Sequence, residues 1–131
     1  MYNCIMVKEK YSTGTASEKR VGYSRAIKVG DKLYFSGTTS QDENGNAVGN
    51  TVYDQTKSIL DKTIQVAKQA GFFPEDVVLI RAYLVDMNQI SEFDRAFSAR
   101  FKDINPCCTL VGISALIDPQ LLIEIETMFE K

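Results

Sequence analysis

The strongest constraint on the fold is an alternating stretch within residues 105–126, which read NPCCTLVGISALIDPQLLIEIE. Because a strand points successive side chains to opposite faces, a strand here places Glu124 and Glu126 on one face and the isoleucines on the other. Pro106 has no amide hydrogen and can only begin a strand, so the β-branched and apolar residues 107–113 predict a second strand. Two acids set against an apolar layer are therefore the candidate chemical centre of the chain.

Two upstream segments carry helical periodicity. The first runs from about Thr51 to Gly71, with Asn50 or Thr51 as its cap and the glycine as its end. The second covers about 89–102, with Asn88 placed to cap it. Its aromatic residues fall on one side of the helix and are predicted to be core: Phe93, Phe97 and Phe101.

Strands are predicted around these helices. A hairpin joins runs 21–29 and 32–38 through the turn-forming Gly30 and Asp31, after a short edge strand at 5–8 and a loop over 11–20. Residues 77–85 form an almost unbroken apolar run, which is typical of a strand buried on both faces. The pattern predicts an α+β fold in which two helices cover one face of a four- or five-stranded sheet, and the other face needs a cover. We therefore expect a homo-oligomer formed through the helix-free face.

Composition limits the class of protein. With 131 residues, 44% hydrophobic and 24% charged, the chain predicts one globular domain over residues 1–131. Its formal net charge is −2 and its longest basic cluster is Lys19 and Arg20, so a nucleic-acid partner is not expected. No apolar run approaches the roughly 20 residues of a membrane span, and no signal-peptide pattern is present, so we expect a cytoplasmic protein without a membrane partner.

The inventory of reactive side chains narrows the chemistry further. Histidine is absent, which removes Ser-His and Cys-His nucleophile pairs and histidine-containing zinc sites. Three cysteines, two of them the neighbours Cys107 and Cys108, are a poor disulfide framework and a weak metal site. Any reaction must use carboxylates, hydroxyls, backbone groups, thiols, lysine or arginine.

Five segments in order resemble the reactive intermediate deaminase family, also called RidA or YjgF. They are VGYSRAI at 21–27, FSGTT at 35–39, AG at 70–71 with EDVV at 75–78, VDMN at 85–88, and the region from NP at 105–106 to IEIE at 123–126. The resemblance runs from about Val21 to the last residue. It implies a chorismate-mutase-like α+β fold with a mixed sheet, assembled as a homotrimer with a small-molecule pocket between subunits.

The resemblance also implies an activity. Deaminating members hydrolyse enamine and imine intermediates to keto acids and ammonia, and they need no cofactor or metal. In those members an arginine in a Pro-Ala-Arg-Ser/Thr motif holds the substrate carboxylate, and a glutamate of the Ile-Glu-Ile-Glu strand places a water. The residues of this chain that match the family site are Tyr23, Ser36, Gly37, Asn88, Thr109 and Glu124.

The position of the family arginine is occupied by Cys108. A thiol is a weak donor without a fixed charge, whereas hydrogen bonds to charged groups contribute about 1.5 to 3 kcal/mol each, so binding of a carboxylate-bearing transition state should weaken roughly tenfold to several hundredfold or more. Two hypotheses follow. The chain is an imine or enamine hydrolase with weak activity on amino-acid-derived imines, or it is a non-catalytic trimer that binds a metabolite or regulates a partner. Ribonuclease activity finds no histidine, basic groove or aromatic platform here.

Each candidate residue also has a structural interpretation. Glu124 and Glu126 could pair with basic residues on a solvated or interface face, and Tyr23 could be an interface aromatic. Arg25 and Arg81 could replace the missing cation, although a surface ion pair is the simpler expectation for each. One of Cys107 and Cys108 is expected in the core and the other at the pocket. The structural interpretation of Cys108 is a small buried hydrophobic residue without a function.

Overall fold

The computed structural model describes residues 7–131. Within them, six strands form one mixed sheet and two helices pack together against one of its faces. The strands are β1 (Lys8–Tyr11), β2 (Ala26–Val29), β3 (Lys32–Phe35), β4 (Val77–Leu84), β5 (Cys107–Gly112) and β6 (Ile123–Glu130), and the helices are α1 (Val52–Gln69) and α2 (Ile90–Phe101). The sheet order is β1-β2-β3-β6-β4-β5. Only β4 and β5 pair in parallel, so the predicted α+β class, mixed sheet and two-helix layer are confirmed.

The alternation of β6 sets the core. Ile123, Ile125 and Phe129 are fully buried, whereas Glu124 and Glu126 on the other face are half-buried. Phe129 packs between the rings of Phe35 and Phe72, at centroid distances of 5.7 and 6.3 Å. This strand lies between β3 and β4 in the sheet, and its apolar face packs against α1.

The two helices agree with their predicted spans. Thr51 caps α1 by accepting a hydrogen bond from the amide of Asp54 at 3.1 Å, and Gly71 follows the helix with φ of +87°, a conformation that glycine adopts without strain. The predicted cap of α2 is wrong. Asp86 rather than Asn88 supplies the capping oxygen, to a short 3₁₀ turn over Met87–Gln89 that precedes the helix.

Three details of the strand prediction are wrong. The first strand is Lys8–Tyr11 rather than 5–8, of which residues 5 and 6 lie outside the described residues. The run 21–29 begins inside a helical turn, Glu18–Gly22, and is a strand only from Ala26. The turn forms because the Glu18 side chain binds three polar residues upstream of it, an interaction that strand periodicity does not encode. The sheet also has a sixth strand.

The helix-free face is partly uncovered. On β4, Ile80, Ala82 and Leu84 are buried toward the helices, but on the opposite face Arg81 is exposed and Leu79 and Tyr83 are half-buried. The expected burial on both faces is therefore absent within one chain. Neither helix of the described part is long and apolar enough to cross a membrane.

Candidate functional site

A cavity of about 180 Å³ opens beside Glu124. Five parts of the chain meet there: the loop before β2, the segment after β3, the middle of α1, the loop before β6, and β6 itself. The lining residues are Thr15, Ser17, Arg20, Val21, Tyr23, Arg25, Gly37, Thr39, Gln41, Lys62, Leu116, Ile117 and Glu124. The cavity thus contains three of the residues expected from the sequence, Tyr23, Gly37 and Glu124, in one place.

Glu124 occupies this cavity because β6 turns it away from the helices. No hydrogen bond within residues 7–131 reaches its carboxylate. Burial raises the pKa of Glu124 above its ordinary value; the nearby charge of Arg25 opposes this effect and that of Glu126 adds to it. A carboxyl group of this kind is suited to accept and return a proton.

Gly37 makes room for that carboxylate. A Cβ atom built on Gly37 would lie 2.6 Å from Oε1 of Glu124, closer than real Cβ contacts. The neighbouring Thr38 exchanges two backbone hydrogen bonds of 2.9 Å with Ile125, which fixes the two segments side by side. Ser36 lies outside the cavity, in the adjoining groove, and its hydroxyl donates to the carbonyl of Ser24 at 2.6 Å.

Arg25 is the structural centre of the cavity wall. Its Nε and one terminal nitrogen donate to Oε2 of Glu18, both at 3.3 Å, and that terminal nitrogen also reaches the Tyr23 hydroxyl at 3.4 Å. The other terminal nitrogen donates to the carbonyl of Gly37 at 2.8 Å and to Oγ1 of Thr38 at 3.1 Å. A guanidinium has five N–H groups, and all of them find acceptors here. The expectation of a surface ion pair is wrong, because Arg25 is only 5% exposed.

Glu18 holds the other half of this buried pair. Its carboxylate also accepts hydrogen bonds from the hydroxyls of Ser12, Thr13 and Thr15 at 2.6, 2.6 and 2.9 Å. Burial alone would raise the pKa of Glu18, but these hydrogen bonds and the charge of Arg25 outweigh it and lower the pKa to about 2. The pair therefore stays ionised and holds the loop that frames the cavity.

Two cations in the lining were not found from the sequence. Lys62, on α1, donates from Nζ to the carbonyls of Thr39 at 3.0 Å and Gln41 at 2.7 Å. Burial, followed by the charge of Arg25, lowers the pKa of Lys62. Arg20 is exposed on the helical turn. Neither residue shows a sequence signal, since both sit in polar stretches that contact the cavity only after folding.

The remaining expected residues lie elsewhere in the chain. Asn88 is exposed in the turn before α2, and Cys108 and Thr109 are exposed on the edge strand β5. Cys108 pairs in register with Ile80 and so faces the helix side, whereas Thr109 pairs with Arg81 on the open face. The expectation that one cysteine lies in the core is wrong, because Cys107 and Cys108 are both exposed. The thiol of Cys108 lies on the helix side of the strand, and its partial burial there, with the charge of Asp94 adding to it, raises its pKa although the residue as a whole is exposed.

Glu126 and Arg81 form the surface ion pair expected from their residue types. Their nearest atoms are 3.3 Å apart, with side chains that are 50% exposed for Arg81 and 38% exposed for Glu126, and the Tyr83 hydroxyl donates to the same carboxylate oxygen at 3.2 Å. Neither residue lines the cavity. Among residues 7–131, no group of three or more His, Cys, Asp or Glu side chains is placed to hold a metal ion.

Known proteins resemble this chain in both sequence and fold. The family described as Endoribonuclease L-PSP matches residues 13–130. A RutC family protein of Sulfurisphaera tokodaii is 38% identical over 115 residues, covering 86% of this chain and 91% of that protein, and one of Pyrococcus horikoshii is 31% identical over 126 residues, covering 95% and 99%. The crystal structure of Rv2704 from Mycobacterium tuberculosis, a member of the YjgF/YER057c/UK114 family, superposes with a TM-score of 0.87 at 32% identity, covering 95% of this chain and all of that one.

A structure of the Rid family protein YyfA from Yersinia pestis gives a TM-score of 0.83 at 28% identity, covering 95% of this chain and 100% of that one. Sequence and fold agree over nearly the whole described chain. This protein belongs to the Endoribonuclease L-PSP family, the family of the YjgF, RutC and Rid proteins.

Proposed function

We propose that this protein is a cytoplasmic homotrimer of the Rid type that hydrolyses imine or enamine intermediates to a carbonyl product and ammonia, with Glu124 positioning the attacking water. The observation that carries the proposal is the state of Glu124. Its carboxylate is half-buried, accepts no hydrogen bond from residues 7–131, and faces a cavity of about 180 Å³. A group left without a partner in such a place is available to a ligand or a water.

The chemistry needs one group that moves a proton in both directions. Glu124 takes a proton from water as the water oxygen bonds to the imine carbon, and the electron pair of the C=N bond moves to nitrogen, which receives that proton from Glu124. The resulting carbinolamine then breaks its C–N bond. Glu124 takes the hydroxyl proton as the oxygen forms the carbonyl, and it passes this proton to the departing nitrogen, which leaves as ammonia. An enamine enters the same sequence after protonation at carbon.

Assembly of the site would use neighbouring subunits. Three of the expected site residues lie apart from the cavity within one chain: Asn88, Cys108 and Thr109. Cys108 and Thr109 are exposed on the edge strand β5. The helix-free face also presents half-buried or exposed apolar groups that a partner would cover, namely Tyr34, Leu79 and Met128. A ring of three chains would bring β5 of each chain toward the cavity of the next, which is the head-to-tail contact that a closed trimer requires.

Hydrolysis of a generated imine tests the proposal. An amino-acid oxidase produces imines in situ, and the release of ammonia and carbonyl product is followed with and without the protein. Replacing a general base should lower the rate about 10² to 10⁴-fold, so Glu124→Gln should abolish most of the acceleration. Glu130→Gln is the matched control, because Glu130 is an exposed glutamate at the end of the same strand and outside the cavity. No acceleration by the wild type over charged and uncharged imines would refute catalysis.

A second function, non-catalytic binding of a metabolite or regulation of a partner, has its own observation. The resemblance gives the position of Cys108 to the arginine that holds the substrate carboxylate, and burial raises the pKa of this thiol, so it supplies no charge near neutral pH. Cys108→Arg separates the two functions. Gain of imine hydrolysis indicates that the rest of the site is complete, and no gain favours a site used for binding alone.

A further inference from the structure

The cations that line the cavity are not equivalent. Arg20, Arg25 and Lys62 face one carboxylate, that of Glu124, so the lining carries an excess of positive charge. Arg25 does not contribute to this excess at short range, because it forms a buried salt bridge with Glu18 and all its N–H groups are engaged. A bound anion must therefore find another donor.

Lys62 has that donor. An ammonium carries three N–H groups, and two of them are held by the neutral carbonyls of Thr39 and Gln41, which leaves one. No carboxylate within residues 7–131 lies within salt-bridge distance of Nζ. The nearby Asp42 is turned to its own loop, where it accepts hydrogen bonds from the amides of Asn44 and Asn46, both at 2.9 Å.

The surroundings make this unpaired charge costly. Lys62 is half-buried, and its lowered pKa reflects burial first and the charge of Arg25 second. The two carbonyls fix the position of Nζ without neutralising it, so the ammonium is preorganised to receive an anion. Arg20 lies on the exposed rim of the same cavity and adds to the field there.

We propose that Lys62, assisted by Arg20, binds the anionic group of a small carboxylate ligand in the cavity beside Glu124. This inference rests on the proposed function, because it assigns the residue that holds the carboxylate of an imine or keto compound in that same site. Lys62 thereby supplies the charge that Cys108 lacks, from a different wall of the cavity and from within the same chain.

Binding of a charged and an uncharged probe tests the assignment. The probes are 2-oxobutanoate and its methyl ester, titrated by calorimetry into the wild-type protein and into Lys62→Gln and Lys62→Arg. Glutamine removes the charge but keeps N–H donors for the two carbonyls. Since a hydrogen bond to a charged group is worth a factor of about ten to a hundred in affinity, Lys62→Gln should weaken 2-oxobutanoate by about that factor and leave the ester unchanged. Lys62→Arg should keep most of the preference for the acid.

Lys57→Gln is the matched control, because Lys57 is an exposed lysine of the same helix outside the cavity. It should bind both probes as the wild type does. Equal affinity of the wild type and Lys62→Gln for 2-oxobutanoate overturns the assignment. Equal weakening of both probes by Lys62→Gln also overturns it, because that result would mean a purely structural role for Lys62. An absence of wild-type binding to 2-oxobutanoate at millimolar concentration overturns it as well.

Failure of this inference is distinguishable from failure of the proposed function. If no imine is hydrolysed but Lys62→Gln selectively loses the acid, the cavity binds carboxylates without turning them over, and the role of Lys62 stands. If Glu124→Gln abolishes hydrolysis while Lys62→Gln keeps the wild-type KM for a carboxylated imine, catalysis stands and the role of Lys62 falls.

Discussion

Replacing Glu18 should lower the free energy of unfolding at neutral pH, and the loss should be smaller in acid. Glu18→Gln removes the charged partner of Arg25, which is 5% exposed and has no other carboxylate among the described residues within salt-bridge distance. Removing one member of a buried pair typically costs about 3 to 5 kcal/mol. The pKa offers a second route to the same quantity. A pKa of about 2, against an ordinary value of 4.5, corresponds to roughly 3 kcal/mol of stability from ionisation of Glu18.

The sign of the pH effect follows from where the proton binds. Between pH 4.5 and pH 2 the unfolded chain binds a proton at Glu18 that the folded chain does not. The stabilisation is therefore complete above about pH 5 and is lost as the pH falls toward 2, with about 2 kcal/mol gone by pH 3. The difference between wild type and Glu18→Gln should shrink by that amount between pH 7 and pH 3.

Urea unfolding at a fixed protein concentration measures this difference. The chain has no tryptophan, so circular dichroism is the suitable signal, and a constant concentration is needed because assembly would shift the apparent stability. Glu130→Gln, an exposed change at the end of β6, is the control and should leave the free energy of unfolding unchanged at both pH values. A gap between wild type and Glu18→Gln that is the same at pH 7 and pH 3, or below about 1 kcal/mol at pH 7, would refute the account of the pair.

Three further predictions concern the cavity and its support. Gly37→Ala should lower the rate of imine hydrolysis by roughly tenfold or more while changing thermal stability little. The added methyl would lie 2.6 Å from Oε1 of Glu124 and so displaces only the end of that side chain. Unchanged steady-state rates would contradict this prediction. Gln55→Leu should lower the free energy of unfolding in urea by about 3 kcal/mol. The reason is that this fully buried amide donates to the carbonyls of Gly49 and Gln120 and accepts from the amide of Leu122. A loss below about 1 kcal/mol would be inconsistent with that role of Gln55. The rate of imine hydrolysis, corrected for the uncatalysed rate, should fall in acid with an apparent pKa above 4.5. Burial raises the pKa of Glu124, and only its ionised form takes a proton from water. A pH–rate profile whose acid limb has an apparent pKa at or below 4.5 would argue against that role.

The sequence predicted the parts of the fold that depend on local pattern. Alternation in β6 and the threonine cap of α1 are decided by neighbouring residues, and both agree with the structure. The helical turn Glu18–Gly22 was missed because its stability comes from side-chain hydrogen bonds rather than from hydrophobic period. Its effect is to move Arg25 from a strand face into a buried pair.

The candidate site was predictable only in part, for a related reason. Glu124 and Gly37 meet because β6 pairs with the segment after β3, a neighbour relation that the motifs indicate. Lys62 enters the cavity through packing of α1, and nothing in its surrounding sequence distinguishes it from the exposed Lys57. The exposure of Cys108 follows from the edge position of β5, and strand order is not encoded in any single segment.

The position of β6 has a consequence for how the protein is made. This strand follows all the others in the described chain, yet it lies between β3 and β4 and joins the two halves of the sheet. On the ribosome, the nascent chain therefore holds the three antiparallel strands β1–β3 on one side and a βαβ unit on the other, each with an unpaired edge and an uncovered apolar surface, until residues 123–130 emerge. Stalled or shortened translation products should aggregate or require chaperones, because no partial sheet can close without that last strand.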